Sequence, residues 1–421
     1  MLIRDPVHGD LWLGALETAV LDLPDVQRLR GVKQLGTASL VYPGALHTRF
    51  DHALGASAAA HRIVAAVRRA GAAVPREMED VIAAGALLHD VTHVPFGHTL
   101  EDERRLFSRH DKGTRLARLL DGRLGEGLAR LGIRAEIAGL LGAAPNALPA
   151  WAAEIIASTI DADLLDYLRR DAYFTGLAHD YDDRVFHYFT VADGHLALEM
   201  VKHGMDRHDA RSEVIQLLRM RYFLTERVYY HHTKVVAGAM ISKAVELALD
   251  AGALAEADLL ALNDWTLLDR LKRCAAPGAA ALIDRLERRE LLKRSYVVSA
   301  RSIGLHARAD LVRSYHESRA ARGAAERALA AEFGCAEGEV IVYCPALTVM
   351  KEAAARVVTS RGLRSLNHSG DPGSADIHAL EDAYASLWRL YVFAPAAVAS
   401  RAAERAAEHF GYPSEYAPRT A

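Results

Sequence analysis

Residues 87–98 read Leu-Leu-His-Asp-Val-Thr-His-Val-Pro-Phe-Gly-His. The apolar residues before this stretch continue a helical pattern, and the pair His89-Asp90 stands at its end. Pro95 disfavours helical geometry at Val94, so we expect the helix that carries His89 to end near that residue. An aspartate at an apolar helix end is unfavourable unless a positive group meets it.

A divalent metal would meet this aspartate, because histidine supplies a neutral nitrogen ligand and aspartate a charged oxygen ligand. Adjacent helical residues point about 100° apart, so both can bind one ion only at a helix end or in an irregular turn. The alternative is a buried histidine with its hydrogen bonds satisfied, followed by an aspartate that caps the next turn. Two further histidines, His93 and His98, follow closely and favour the metal site.

A second cluster precedes this one, in residues 43–55, which read Pro-Gly-Ala-Leu-His-Thr-Arg-Phe-Asp-His-Ala-Leu-Gly. His52 opens an alanine-rich helical pattern, and Arg49 lies one turn earlier. Arginine binds phosphate oxygens through two N–H groups, so Arg49 indicates an anionic substrate. The alternative is that Arg49 forms a structural ion pair with Asp51 or Asp90.

A third cluster lies in residues 158–171. Four polar side chains fall at helical spacing on one face: Asp163, Asp166, Tyr167 and Arg170. A solvated charged face is the simple explanation for such a pattern. The apolar residues that flank these four side chains indicate instead a packed segment.

The composition is typical of a folded globular protein. The chain has 421 residues, of which 51% are hydrophobic and 25% charged, and this excludes a wholly disordered chain. The net charge of -3 does not indicate a nucleic-acid partner, and three cysteines are too few for a disulfide framework or a cysteine-ligated zinc site. No run of about 18 apolar residues occurs, so we expect a soluble cytoplasmic protein without a membrane partner.

Helix-forming residues dominate the chain and predict a mainly α fold. Buried helices are predicted over residues 54–70 and 78–89. Few segments have strand character: a hairpin is predicted from residues 186–191 and 195–200, and a short strand over residues 339–343. At about 150 residues per domain, the length corresponds to two or three domains or one large one.

The three clusters, in this order, resemble the HD-domain metal-dependent phosphohydrolases. Within that family they resemble the deoxynucleoside triphosphate (dNTP) triphosphohydrolases, which join a SAM domain to an HD domain in vertebrates and have smaller bacterial relatives. The other matching segments are residues 5–9, 22–36, 221–222 and 227–232. The resemblance implies an HD-domain helical bundle with a small β-hairpin over residues 1–245. Residues 246–421 would form a mostly helical C-terminal portion with short strands that packs on the HD domain and aids oligomerisation.

The resemblance implies one divalent metal, held by two imidazoles and two carboxylates: His52, His89, Asp90 and Asp163. Such a mixed set suits iron, manganese, cobalt, nickel or zinc. Magnesium would accompany the nucleotide substrate.

The resemblance also implies a set of catalytic side chains. His98 and Glu101 match an acid/base dyad, in which the carboxylate fixes the imidazole tautomer and raises its basicity. His93 and His110 match positions that line the phosphates, although a histidine in an exposed loop would look the same in sequence.

Substrate contacts follow in the same way. Arg49 and Arg221 match phosphate ligands, and Lys234 lies near another such position. Gln34 and Asp171 match groups that hydrogen-bond the sugar 3′-hydroxyl, whereas Tyr167 and Tyr229 match aromatics that pack against deoxyribose. A buried site with no room for a 2′-hydroxyl would reject ribonucleotides. The expected reaction converts a dNTP into a deoxynucleoside and inorganic triphosphate.

The sequence departs from the vertebrate pattern at two cations. Leu164 and His232 stand where the vertebrate enzymes have lysines. Two alternatives therefore stay open: a phosphatase or phosphodiesterase acting on a nucleoside monophosphate or another phosphorylated metabolite, and a nucleotide sensor without turnover. An intact pair of His98 and Glu101 speaks against a sensor.

A regulatory nucleotide is a further implication of the resemblance. Asp22, Gln27 and Arg30 match residues that bind an activating guanine nucleotide, or they cap and brace the first helices. We also expect a homo-oligomer, a dimer or tetramer, and no nucleic-acid partner.

Overall fold

The protein is described by a computed structural model over residues 1–110, 114–371 and 373–417; residues 418–421 of the predicted C-terminal portion lie outside the described ranges. It is mainly α-helical, as the sequence predicts. The helices are α1 (Ala15–Leu21), α2 (Pro24–Gln27), α3 (Arg49–Arg69), α4 (Arg76–Leu88), α5 (Arg115–Leu120), α6 (Arg123–Arg130), α7 (Arg134–Leu140), α8 (Ala150–Glu154), α9 (Ala162–Thr175), α10 (His208–Leu224), α11 (His232–Asp250), α12 (Glu256–Leu259), α13 (Asp264–Arg273), α14 (Pro277–Glu287), α15 (Leu305–Leu311), α16 (Arg319–Phe333), α17 (Ser374–Ala385) and α18 (Ala399–Phe410).

The strands are short and form small sheets. They are β1 (Leu2–Asp5), β2 (Gly9–Trp12), β3 (Phe189–Ala192), β4 (His195–Glu199), β5 (Val201–Lys202), β6 (Met205–Asp206), β7 (Lys293–Ser299), β8 (Ile341–Tyr343), β9 (Arg356–Thr359), β10 (Gly362–Ser365) and β11 (Arg389–Ala394). Within the described ranges, three π-helical turns are present: Thr99–Glu103 lies between α4 and α5, whereas Thr225–Tyr229 and Val312–His316 directly follow α10 and α15.

Helix α3 is the centre of the N-terminal half, where it packs against both α4 and α9. Its alanines are small enough to let two neighbouring helices approach, and residues such as Ala59, Ala60 and Ile63 are completely buried. The Thr48 hydroxyl caps its first turn, which fixes the start of the helix at Arg49 rather than at residue 54. The three metal-ligand clusters of the sequence therefore meet where α3, α4 and α9 pack together.

The predicted hairpin is present, as β3 and β4. It starts at Phe189 and not at Phe186, because residues 183–188 form a 3₁₀ turn in which Phe186 is buried under the Arg62 guanidinium. The hairpin continues into a four-stranded sheet of order β10-β9-β4-β3, in which β4 and β9 are parallel.

A second sheet, of order β7-β11-β8, lies in the C-terminal half and is antiparallel. Its successive residues face opposite layers: Val297 packs with the α11 and α14 side, whereas Val298 packs with α16 and α18. The strand predicted over residues 339–343 is the edge strand β8 of this sheet, and it begins at Ile341.

The predicted domain boundary at residue 245 falls inside α11, which runs unbroken to Asp250. One apolar core includes Val94 and Phe96 together with Leu267 and Phe393, so side chains from both predicted portions share it. Across the described ranges, no helix is both long enough and apolar enough to cross a membrane.

Candidate metal centre

Helix α4 ends earlier than Pro95 alone predicts, at Leu88. Beyond this end, the half-buried Arg28 guanidinium donates hydrogen bonds to the carbonyl oxygens of Val91 (2.9 Å) and His93 (2.8 Å). These carbonyls are thereby withdrawn from a helical ladder, and residues 90–93 form an irregular turn directly after the helix. This is the geometry that lets adjacent residues face one ion.

The predicted metal ligands converge on one point. His52 Nε2 lies 3.2 Å from His89 Nε2 and 3.8 Å from Asp90 Oδ2, and these three residues form a group whose ligand atoms all lie within 4.8 Å of one another. Asp163 joins the group from α9, with its Oδ1 2.9 Å from His52 Nε2 and 3.8 Å from His89 Nε2. The structure therefore brings all four side chains together.

The hydrogen bonds of the two imidazoles leave their Nε2 atoms available. His52 Nδ1 donates to Asp166 Oδ2 (2.7 Å), and His89 Nδ1 donates to the carbonyl oxygen of Ala86 (2.7 Å). Because a neutral imidazole carries one proton, each Nε2 then presents a lone pair. Partners of this kind fix the tautomer and ring orientation of metal-binding histidines.

Acidic groups surround His52. Burial would lower the pKa of its imidazole, but the carboxylates of Asp163 and Asp166 outweigh burial and raise this pKa to about 10, so a proton on Nε2 competes with a metal ion for the same position. Burial likewise would raise the pKa of Asp90, and Arg49 together with His89 and His93 lowers it well below its usual range. A site with this excess of carboxylate suits a cation, so the residues present fit a divalent metal with mixed nitrogen and oxygen ligands.

Arg49 lies beside this centre and pairs with Asp90, at 2.5 Å between Nη1 and Oδ2. Asp51 takes no part in this pair, since its carboxylate accepts the Thr48 N–H at the start of α3. Gly97 passes so close to the Arg49 guanidinium that a side chain at this position would collide with it. Of the two ion pairs left open by the sequence, the one with Asp90 is present.

Three more histidines form a cluster next to the ligand turn. The ring nitrogens of His93, His98 and His110 lie within 4.8 Å of one another, and the His93 and His110 rings stack at 3.7 Å. His93 Nε2 lies 3.2 Å from Asp90 Oδ1, which places the cluster against the ligand group. Burial lowers the pKa of both His93 and His110.

His98 has two carboxylates near its ring, and the nearer one is not the expected Glu101. His98 Nδ1 lies 4.0 Å from Glu101 Oε2 but 3.0 Å from Asp102 Oδ2. Glu101 instead accepts from the His110 backbone N–H and ring Nδ1, both at 3.1 Å, and pairs with Arg115. Glu101 and Asp102 stand three and four residues after His98 in the π-helical turn over residues 99–103, and side chains at both spacings lie near the first residue.

The predicted sugar-binding residues Tyr167 and Asp171 follow Asp163 at four-residue spacing on one face of α9, and the Tyr167 ring centroid lies 6.4 Å from that of His52. Asp171 is buried and already accepts two hydrogen bonds, from His47 Nε2 (2.8 Å) and the Tyr229 hydroxyl (2.6 Å). Arg221 lies 5.3 Å from the ring centroids of both Tyr167 and Tyr229. The structure thus brings these four predicted residues into one neighbourhood.

Two other predicted substrate residues have different surroundings. The Gln34 Oε1 atom is buried and forms no hydrogen bond with the described residues, which leaves an acceptor for a ligand. Lys234 is engaged, since its Nζ lies 2.6 Å from Glu103 Oε1.

The predicted regulatory residues make internal contacts. Gln27 donates to the carbonyl oxygen of Leu21 and accepts from Arg30, whose guanidinium lies 3.6 Å above the Phe50 ring. Asp22 is exposed. The contacts of Gln27 and Arg30 agree with the bracing interpretation, and a nucleotide at this place stays a prediction.

Sequence reasoning gave no role to several residues that shape the site. Asp166 was only part of a polar face, and His47, Arg28 and Asp264 were not singled out. Asp264 accepts the backbone N–H groups of Lys33 (3.0 Å) and Phe96 (2.8 Å). No local signal could have revealed these contacts, because the partners lie far apart along the chain.

The chain matches two family models. Residues 49–171 match the HD domain, and residues 209–419 match the HD associated region. The chain is 31% identical over 300 residues to an uncharacterised protein of Methanocaldococcus jannaschii, a match that covers 69% of this chain and 58% of the relative. It is 26% identical over 284 residues to deoxynucleoside triphosphate triphosphohydrolase SAMHD1 of Xenopus laevis, covering 58% of this chain and 44% of the relative. The chain thus spans about half the length of the curated relatives it matches.

Solved structures share the fold. A phosphohydrolase from Bacteroides thetaiotaomicron has a TM-score of 0.70 at 23% identity, and the match covers 94% of this chain and 100% of that one. A hypothetical protein from Aquifex aeolicus has a TM-score of 0.69 at 22% identity, with 96% and 98% covered.

Proposed function

The chain belongs to the HD superfamily of phosphohydrolases, and from this premise we propose that it hydrolyses dNTPs to deoxynucleoside and inorganic triphosphate with one bound divalent metal. The observation that carries the proposal is the convergence of His52, His89, Asp90 and Asp163, with both imidazole Nε2 atoms facing the group. Relatives named as dNTP triphosphohydrolases, such as that of Danio rerio at 28% identity, support the choice of substrate.

The proposed reaction is attack of water at the α-phosphorus of the substrate. The bond from the α-phosphorus to the 5′-oxygen breaks, and the 5′-oxygen takes a proton to give the deoxynucleoside. The oxygen of the attacking water stays on the phosphorus, so the other product is inorganic triphosphate. When bound at the four ligands, the metal would act as a Lewis acid on phosphate and water. Arg49 and Arg221 would offset the charge that develops on the phosphate oxygens.

His98 is proposed to exchange the proton at the reacting oxygens. Its side chain is half-exposed, and Asp102 lies close enough to orient its imidazole. His110, held by Glu101, and the neighbouring His93 would line the phosphate chain.

The sugar would lie against Tyr167 and Tyr229, with its 3′-hydroxyl near Asp171 and Gln34. Asp171 is held in place by His47 and Tyr229, so a sugar that needs more room cannot displace it without breaking two buried hydrogen bonds. We expect this rigidity to disfavour a 2′-hydroxyl.

A second candidate is hydrolysis of a nucleoside monophosphate, and two observations favour it. Leu164 is buried in the apolar core, so no cation follows the ligand Asp163. Burial, Arg294 and His231 lower the pKa of His232 to about 4, which keeps this side chain neutral at pH 7. Two positions that would hold a triphosphate are therefore uncharged.

The test is metal analysis followed by product identification with dATP, dGTP, ATP and dAMP as separate substrates, with Mg²⁺ present. We expect metal in the wild-type protein, and deoxynucleoside plus triphosphate from dATP and dGTP only. The Asp90→Asn variant, which removes one ligand charge, should lose both metal and turnover. Phosphate from dAMP alone would establish the second candidate, and nucleotide binding without any product would establish a sensor.

We further propose a cytoplasmic homo-oligomer, a dimer or tetramer. Exposed tryptophans support it, because Trp12 is 77% and Trp265 is 63% exposed, and aromatic residues are enriched in protein interfaces. Light scattering coupled to size-exclusion chromatography tests it: a monomer at all concentrations would contradict the proposal.

A further inference from the structure

The turn of residues 5–9, which the sequence analysis left without a role, is linked to the metal ligand His52. The link is the carboxylate of Asp166, which is completely buried. Its Oδ2 accepts from His52 Nδ1 (2.7 Å), and its Oδ1 accepts from His8 Nε2 (2.7 Å). We propose that His8 and Asp166 are positioning residues of the metal centre. The inference rests on the proposed metal site and not on the identity of the substrate.

Asp166 has its hydrogen-bonding capacity filled by N–H donors. Besides the two histidines, Arg170 donates from Nε to Oδ2 (2.8 Å) and from Nη2 to Oδ1 (2.9 Å). Each carboxylate oxygen therefore accepts two hydrogen bonds, and the group cannot rotate without losing them. The orientation of the His52 ring is fixed as a consequence.

The turn itself is tied to the same helix by Asp5. One Asp5 oxygen accepts the backbone N–H groups of Val7 (2.9 Å) and His8 (2.7 Å), which shapes the turn. The other oxygen accepts from Arg170 Nη1 (2.9 Å). This turn, which the Asp5–Arg170 contact attaches to α9, therefore places His8 next to Asp166.

Gly55 provides the space for this arrangement. It lies on α3 almost one turn after His52, and a Cβ atom there would overlap the Asp166 carboxylate and the Arg170 guanidinium. A residue with a side chain at this position would push the carboxylate away from His52.

The arrangement also relates two metal ligands to each other. Asp163 and Asp166 lie on the same helix, α9, one turn apart. Because Asp166 holds the His52 ring, the helix sets the position of the His52 Nε2 atom relative to the Asp163 carboxylate. His89 needs no such device, since its partner is the Ala86 carbonyl of its own helix.

The experiment measures Co²⁺ affinity and the visible absorption spectrum of bound Co²⁺ in the metal-stripped full chain. The variants are His8→Ala, His8→Gln and Asp166→Asn. In the Asp166→Asn variant, the asparagine NH₂ group would face at least one imidazole N–H and could not accept its hydrogen bond. We therefore expect the Co²⁺ affinity of this variant to fall by about 10- to 100-fold and the spectrum of bound Co²⁺ to change. His8→Ala should lower affinity by about 10-fold, and His8→Gln, whose amide can donate to Asp166, should restore most of it.

The control is His61→Ala, which removes another histidine paired with carboxylates from the same set of helices but away from the metal ligands. Its melting temperature should fall while Co²⁺ affinity and spectrum stay as in the wild type. If Asp166→Asn fails to fold, the two His8 variants decide. Wild-type affinity and spectrum in a folded His8→Ala variant would overturn the inference. Failure to turn over dNTPs would not, because the readout is metal binding.

Discussion

His52 and His89 each donate a hydrogen bond from Nδ1, but His89 donates to a carbonyl of its own helix and His52 to a carboxylate far along the chain. The same contrast holds for the carboxylates beside the histidine cluster. Glu101 accepts hydrogen bonds from His110, and Asp102 lies closer to His98 than Glu101 does. At the scale of residues, the chemistry of each side chain is set by the partner that the backbone delivers to it.

The role of His98 gives a first prediction at this scale. His98→Ala should leave the metal content near that of the wild type, because His98 is not among the four converging ligands. The turnover rate should fall by about 10²- to 10⁴-fold, since the proton transfer loses its side chain. Metal analysis and kcat, measured on the same preparation, check both parts; full activity would remove His98 from the mechanism.

At the scale of elements, polar contacts join helices in addition to apolar packing. His61 on α3 lies between Glu17 of α1 (3.1 Å) and Glu79 of α4 (3.0 Å). Each of its ring nitrogens faces a carboxylate oxygen, which can only accept, so the imidazolium form satisfies both contacts. The three helices are thereby connected at one point.

This contact predicts a pH dependence of stability. The hydrogen bond to Glu17 raises the pKa of His61 to about 9, with burial opposing and Glu79 adding to the effect. Because this pKa is higher in the folded than in the unfolded state, protonated His61 stabilises the folded protein. Its contribution to the free energy of unfolding is complete at pH values below the unfolded-state pKa, near 6.5, and disappears as the pH rises through about 9. The wild type should therefore melt above His61→Gln at pH 6, and the difference should narrow by pH 9.5.

Thermal unfolding of both proteins across this range checks the sign. A difference that is constant with pH would show that His61 contributes through packing and not through its charge. Because the side chain is 34% exposed, solvent screens the pair and the effect should be modest.

At the scale of the whole molecule, side chains from the segment that matches the HD associated region contact Phe96 and Arg104, which lie on either side of the turn over residues 99–103. Arg104 follows the π-helical turn of Glu101 and Asp102, and its buried guanidinium pairs with Glu246 and Glu326. Asp264 similarly binds the Phe96 N–H, where the backbone has a φ of 59°. Buried polar contacts therefore join residues 96–104 to the C-terminal half.

Glu326→Gln tests this connection. Glu326 also accepts from Lys243 Nζ (2.8 Å) and from the Val342 N–H (3.0 Å). Removal of its negative charge therefore leaves the buried cations of Arg104 and Lys243 with one carboxylate fewer. We expect the free energy of unfolding to fall by about 3–5 kcal/mol. The exposed Glu408→Gln, whose partner is Arg405, should change it by less than about 0.5 kcal/mol.

Chemical denaturation of the two variants makes the comparison. The Glu326 variant should also lose turnover at temperatures where it is still folded, because Arg104 anchors the turn beside His98. Equal stabilities for the two variants would contradict the connection.

The sequence alone determined the helical character and the short hairpin, because these depend on local periodicity, and its resemblance to the HD-domain phosphohydrolases implied the four side chains that converge. The predicted helix over residues 78–89 agrees with α4, which ends at Leu88 with His89 as its C-cap. The pairing of His98 with Glu101 is implied by the resemblance, whereas the carboxylate that lies closer to His98 is that of Asp102.

Only the tertiary structure decided which carboxylate meets which histidine, and that residues 5–9 reach the metal ligand His52 through Asp166. Asp166 is 158 residues from His8 and 114 from His52. Hydrogen bonds of this kind leave no periodic pattern in the sequence, because they join residues that the fold brings together from distant parts of the chain. Buried polar groups must nevertheless find such partners, and the packed fold provides them.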